Sequence, residues 1–409
     1  MKVCYRIAAV VLLIVIVNFL YTQPVFASKE LKFIAAFEDG RLYRSGKINV
    51  LVLHGSYHQM GRQYGRLLGK ELKALYKNAL VDYFQKQKGL SADSMKKKAK
   101  SLYHLYPQRF KDIINGMAET SGLSLDQQIM LNSLESYGSM SGCSGIIVWG
   151  PFTKDHSLIA GRNYDWFDKY TEFAQNLTLT VFNPDSGIPN AIITFAGVIY
   201  ATTGMNESGI FLELNNGLPS GGTLSYSNRI PAIVNLMACL SDYRSMDQVD
   251  AFFNTTRTNF SFIINTADKS RAISYEWAPF EHRQRKADME GLLVATNHFT
   301  DPSWGIILRD NAGFETVRRQ ENLLTLGDKN KGEIDLKKMQ EILDKPMDEG
   351  GATWPSRGHI RTVYQIIAVP ESLQIRLKVP GYQDWTDVDL KELFIKNPAA
   401  HKCEFYIKQ

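Results

Sequence analysis

Cysteine is scarce, at 4 in 409 residues. That excludes a disulfide-stapled scaffold, and a chain this long buries a core without staples. Past the first residues, no apolar run approaches the roughly 20 residues that a membrane span requires. Neither sign of charge dominates: 47 Lys and Arg against 42 Asp and Glu leave +5. An excess so small and so interspersed gives no reason to expect a nucleic-acid or membrane-surface partner. A phosphate-cradling glycine loop, a GxSxG elbow and a basic stripe interleaved with aromatics are all missing. Internal repeats and low-complexity tracts are missing too. What remains is an ordinary globular composition, 44% hydrophobic and 22% charged. The length allows two or three domains, or one large two-layer domain.

The exception to the short apolar runs is the N-terminus, MKVCYRIAAVVLLIVIVNFLYTQPVFASKE. Two cations, an apolar stretch from Ile7 to Leu20, then Pro24 and the small residues Val25 and Ala27 have the order of a secretory signal. Residues 1–27 are therefore expected to be removed after Ala27 and the protein exported, to a periplasm, the medium or a secretory lumen, with no stable membrane insertion afterwards. Loss of Lys2 and Arg6 lowers the net charge from +5 to +3. Cys4 goes with them, leaving Cys143, Cys239 and Cys403, an odd number, so at least one thiol is free or pairs with another chain. Cys239, within IPAIVNLMACL, reads as a core residue. Sequons begin at Asn176, Asn206, Asn254 and Asn259.

The chain changes character near residue 140. Before it the period is helical. Capping boxes at Ser56–Gln59 and Ser124–Gln127 open two helices, and a third pattern covers Ala92 to Tyr106. After it come short β-type runs: SGIIVWG, SLIAGRNY, NLTLTVF, NAIITFAG and GIFLELN. GPFTKDHS reads as a hairpin connection between the first two. Two helical patterns follow, RIPAIVNLMACLSDY and MDQVDAFF, and then the strand-like FSFIINT, RAISYEW, GLLVAT and SLQIRLKV. The order predicts an α+β protein with helices packed on antiparallel sheet. His54 and His58 have i,i+4 spacing, but no Glu stands at the zincin position and no cysteine is near, so they read as ordinary histidines at a helix start.

Cys143 stands at the start of a β-type run, after Gly142. A helix N-terminus that would favour thiolate is missing there, so activation must come from elsewhere. One solution is the cysteine's own α-amine, freed by cleavage of the preceding peptide bond; a free α-amine ordinarily titrates at about 7.7–8.0, which suits a general base. Gly142 adds no bulk around the carbonyl that the thiol would attack. A structural cysteine remains the alternative on these residues alone.

The surroundings of Cys143 resemble a known family. Arg162 and Asp165 follow 19 and 22 residues on, within GRNYDW. Beyond them lie TGMNESG with Asn206, ATNH with Asn297, and WPSRGHIR with Arg357 and Arg361. With GSYHQMGRQYG upstream, the chain from about Leu51 to its end resembles the N-terminal-nucleophile hydrolases of the C45 penicillin acyltransferase type. These are relatives of choloylglycine hydrolase and penicillin V acylase. The resemblance implies an αββα sandwich of antiparallel sheets, with a helical segment at 28–142 and a catalytic domain at 143–409 that stay associated after cleavage of Gly142–Cys143. It implies Cys143 as nucleophile, Asp165 orienting its α-amine, Arg162 beside the thiolate, Asn206 and Asn297 at the oxyanion hole, and Arg357, with Arg361 as rival, as a further site arginine. The substrate implied is a small linear acyl amide, cleaved through a thioester without metal or cofactor. In this chain Ser-Gly follows the cysteine where Thr-Ser is commoner, and the Cys-to-Arg interval is slightly long. Two other readings are a Cys–His peptidase using His298 or His359, and an exported binding protein of the same fold that has lost catalysis.

Overall fold

The computed structural model describes residues 31–138, 142–309, 312–355 and 358–394. The expected signal segment, Cys403 and Arg357 lie outside these residues. Three strands open the described chain: β1 (Lys32–Phe37), β2 (Gly40–Ser45) and β3 (Ile48–Gly55). Helices α1 (Tyr57–Leu67), α2 (Ala92–His104), α3 (Gln108–Ser121) and α4 (Leu125–Asn132) follow. Then come β4 (Ser144–Val148), β5 (Ile159–Phe167), β6 (Leu177–Pro184), β7 (Asn190–Phe195), β8 (Thr203–Asn206) and β9 (Phe211–Asn216). Helices α5 (Ala232–Asp242) and α6 (Met246–Thr255) precede β10 (Phe262–Ala267), β11 (Ala272–Trp277), β12 (His282–Arg285) and β13 (Leu292–Ala295). The remainder is α7 (Thr316–Lys329), α8 (Leu336–Asp344), β14 (Ile360–Val369), β15 (Gln374–Val379) and β16 (Gln383–Asp389).

The strands form two sheets, ordered β1-β2-β3-β6-β7-β8-β9-β10-β11-β12 and β13-β4-β5-β14-β15-β16. β3 runs parallel to β6, whereas the hairpin-linked neighbours β4–β5, β6–β7 and β10–β11 are antiparallel. Period-two alternation of side chains assigns the layers. On β5, Gly161 faces Met339 and Leu343 of α8, while Arg162 reaches the carbonyls of Thr202 and Leu214 in the larger sheet. On β8, Gly204 faces Leu240 of α5. Helices thus cover the outer face of each sheet, and the inner faces meet: an αββα sandwich.

Both expected capping boxes are present, at Ser56 and Ser124. The 28–142 segment is not wholly helical as expected, because β1–β3 enter the larger sheet. β3 is buried along nearly its whole length, so its sequence INVLVLHG lacks the alternation that marks a half-exposed strand. The glycine-flanked start of α1 serves close helix packing on α3. A Cβ on Gly61 would meet the Ile113 carbonyl oxygen at 2.1 Å, and one on Gly116 would meet that of His58 at 2.3 Å. Two amphipathic helices therefore approach backbone to backbone.

Candidate active site

Cys143 lies just ahead of β4 and is 4% exposed. β4 and β5 pair with Gly145 opposite Arg162, so a hairpin of modest length carries Arg162 back beside Cys143. The expectation for GPFTKDHS holds. Arg162 Nη2 stands 3.5 Å from Cys143 Sγ. The same guanidinium is held across the sandwich by the Thr202 and Leu214 carbonyls, each at 2.6 Å. Its Cζ lies 5.4 Å from the ring centre of Tyr164.

The opposite face of β5 carries Asp165. Its Oδ1 accepts from the Thr362 hydroxyl at 2.7 Å, and its Oδ2 is 3.5 Å from Nη1 of Arg319, both residues being fully buried. Arg319, on the first turn of α7, is the hub of this side. It donates to the Cys143 carbonyl at 2.9 Å, to Asn297 Oδ1 at 2.6 Å and to the Phe314 carbonyl at 2.9 Å. A guanidinium only donates, so it fixes which end of the Asn297 amide is oxygen. The amide nitrogen then points to the Asn216 carbonyl, 2.8 Å away, with one N–H to spare. Gly142 is wedged into the same cluster: a Cβ there would come 2.8 Å from Arg319 Nη2 and 3.0 Å from Asn297 Oδ1. Phe314 and Glu315, beside it, both have left-handed backbones, with φ of 67° and 49°; such strain in non-glycine residues gathers at functional sites. The Gly142–Cys143 peptide thus lies between two arginines, one from each face of the smaller sheet.

The electrostatics follow from burial. Burial pushes the Cys143 thiol above its ordinary value; Arg162 pulls it down and Asp165 pushes it further up. The expected lowering by Arg162 is present but does not prevail. Burial also raises Asp165 to about 7, against the pull of Arg319, Thr362 and Arg162. Arg319 is lowered by burial, opposed by Asp165, Cys143 and Glu315. A carboxyl shifted this far by burial, beside specific charged partners, is the mark of a candidate functional site.

The expected residues divide. Cys143, Arg162, Asp165, Asn297 and Gly142 come together. Asn206 does not. At the end of β8 it points to the helix side, donating to the Leu240 and Tyr243 carbonyls and accepting from the backbone of Ser208 and Ile210. Both ends of its amide are committed, so no donor is left for an oxyanion. Arg361, the second residue of β14, lies opposite Trp166, and the second guanidinium near the nucleophile is Arg319, which no motif announced. His298 bonds to the hydroxyls of Thr316 and Thr296 and is lowered to about 4, by burial first; His359 is exposed. Neither histidine is placed as the base of a Cys–His pair.

Two further residues escaped the sequence reading. Asn216 has a buried amide nitrogen with no hydrogen-bond partner among the described residues, while its carbonyl receives Asn297. Glu213, fully buried on β9, accepts from Asn265 at 2.6 Å and packs so tightly on Gly145 that a Cβ there would fall 1.7 Å from its Oε1. A lone acidic residue inside the apolar run GIFLELN was the available signal for it.

No protein-family model and no curated protein matches the chain. Solved structures do resemble it. A mutant conjugated bile acid hydrolase from Clostridium perfringens is 15% identical over 62% of this chain and 95% of its own, with a TM-score of 0.46. Penicillin V acylase from Agrobacterium tumefaciens is 13% identical over 62% and 87%, with a TM-score of 0.45. The Caenorhabditis elegans ortholog of N-acylethanolamine-hydrolyzing acid amidase is 19% identical over 56% and 93%, with a TM-score of 0.40. All three are N-terminal-nucleophile hydrolases, the group that the residues around Cys143 resemble. The α+β arrangement of two sheets and helices is similar to theirs.

Proposed function

We propose that this protein is an exported amidohydrolase or acyltransferase that cuts itself between Gly142 and Cys143 and then cleaves a linear acyl amide through a thioester on Cys143. The observation that carries this reading is the Cys143 cluster itself: a thiol 3.5 Å from a buried guanidinium, with Asp165 and Asn297 tied to its carbonyl by Arg319. In the first reaction the Cys143 sulfur attacks the Gly142 carbonyl carbon, the C–N bond breaks, and water hydrolyses the thioester. The products are a Gly142 carboxylate and a free Cys143 α-amine. That amine then takes the thiol proton, and Asp165 holds it. Thiolate attack on an acyl amide gives a tetrahedral oxyanion stabilised by the remaining N–H of Asn297. Collapse expels the amine, protonated by the α-ammonium, and water or a second amine releases the acyl group.

Intact-mass measurement tests this. A mass of 46.3 kDa over 409 residues puts residues 28–142 at roughly 13 kDa and 143–409 at roughly 30 kDa. Chains beginning at Ser28 and Cys143, held together in solution, are expected, and Cys143→Ala should stay a single chain. Normal cutting of Cys143→Ala would assign the cut to another protease, and an active enzyme with the bond intact would remove the α-amine base.

A further inference from the structure

Arg162 is placed by more than the carbonyls it donates to. Alternation on β5 puts Arg162, Tyr164 and Trp166 on one face, turned toward the larger sheet. Tyr164 stacks on Tyr364, 4.5 Å away between ring centres, and lies nearly parallel to Trp166 at 6.0 Å. Arg162 lies against this stack. The Tyr164 hydroxyl donates to Glu135 Oε1 at 2.5 Å. Glu135, on the upstream segment eight residues before Cys143, is almost wholly buried. Burial pushes its carboxyl above the ordinary value, against the pull of the Tyr164 and Tyr200 hydroxyls and of Arg162. A buried carboxylate without a cation in contact is costly unless something uses it. What this one holds is the ring on which the nucleophile's guanidinium rests.

We infer that Glu135 is a positioning residue for the nucleophile, acting through Tyr164 on Arg162. The carboxyl oxygen that accepts from Tyr164 fixes the phenol's rotation, and with it the ring whose face attracts the guanidinium. The guanidinium in turn stands 3.5 Å from the thiol. Because Glu135 lies upstream of Gly142, the segment severed by the cut stays in place and contributes to the site rather than only masking it. This inference rests on Cys143 being the nucleophile.

The test uses the full-length protein with two readouts that need no substrate. One is the rate at which the single chain becomes two; the other is the rate at which iodoacetamide labels Cys143, read by intact mass. Glu135→Leu and Tyr164→Phe should each slow both rates by about 10–100-fold, the scale of a reacting group displaced by an ångström. Glu135→Gln, which keeps an acceptor oxygen, should recover most of the loss. The double variant Glu135→Leu/Tyr164→Phe should be no slower than either single, since both break one chain of contacts. If Glu135→Leu does not fold, Tyr164→Phe, which keeps its stacked ring, carries the comparison. A folded Tyr164→Phe or Glu135→Leu with wild-type rates overturns the inference, as does a Glu135→Gln as slow as Glu135→Leu. A wild-type chain that neither cuts nor labels defeats the Cys143 reading instead, which keeps the two failures apart.

Discussion

Glu213 offers a stability experiment whose sign and size both come from its surroundings. Burial raises its carboxyl from 4.5 to about 7, even though Arg162 and Asn265 pull the other way. The folded protein therefore holds this proton more tightly than the unfolded chain does. Below pH 4.5 both states are protonated and nothing is lost. As the pH climbs from 4.5 to 7 the unfolded state ionises freely while the folded state resists, so stability falls; above 7 the loss is constant. The rise from 4.5 to about 7, at about 1.36 kcal/mol per pH unit, amounts to about 3 kcal/mol at pH 8. Glu213→Gln keeps the size and the oxygen that accepts from Asn265 but cannot ionise. It should gain about 3 kcal/mol over wild type at pH 8 and about 1 kcal/mol at pH 5. At an unfolding entropy of about 2.1 cal/mol/K per residue over the mature chain, the pH 8 gain raises Tm by about 4 °C. Thermal and urea melts of both proteins at the two pH values measure it. An equal shift at pH 5 and pH 8 would refute the linkage, and a net loss at pH 8 would mean that the charged form is favoured inside the sandwich.

Other outcomes follow from the same geometry. Asn297→Ala should lower kcat by about 10²–10³ with little change in KM, the scale of one lost oxyanion donor; a folded, processed variant with near-normal kcat removes Asn297 from the hole. Arg319→Met leaves Asp165 buried without its counter-charge and should cost about 3–5 kcal/mol, with Arg319→Lys a poor substitute because one ammonium cannot span Cys143, Asn297 and Asp165; chemical denaturation showing a loss under 1 kcal/mol would deny Arg319 its place as hub. Gly61→Ala drives a methyl into the Ile113 carbonyl and should cost about 1–3 kcal/mol, read as an earlier melt without change in the self-cleavage rate; an unchanged melt would show that α1 and α3 separate easily.

What could be read from the residues was what short-range physics decides. Ser56 and Ser124 cap helices through atoms three residues away, so their pattern announces the helix starts without help from the fold. Cys143, Arg162 and Asp165 were singled out by the family resemblance; they share one hairpin, and the pairing of two adjacent strands is enough to bring them together. The strand-like runs downstream of residue 140 came through for the same reason. Three features waited for the tertiary structure. β3 was missed because a strand buried on both faces loses its alternation, and only membership of the ten-stranded sheet explains its apolar run. Asn206 sits in a suggestive motif, but which face of β8 it occupies depends on register, and register turns it toward α5. Arg319 stands 176 residues from Cys143 in sequence and reaches its carbonyl only because α7 lies across the smaller sheet. Apolar period and capping are written into neighbouring residues; the pairing of buried charges is settled by elements that meet across layers, and no local pattern encodes which ones will meet.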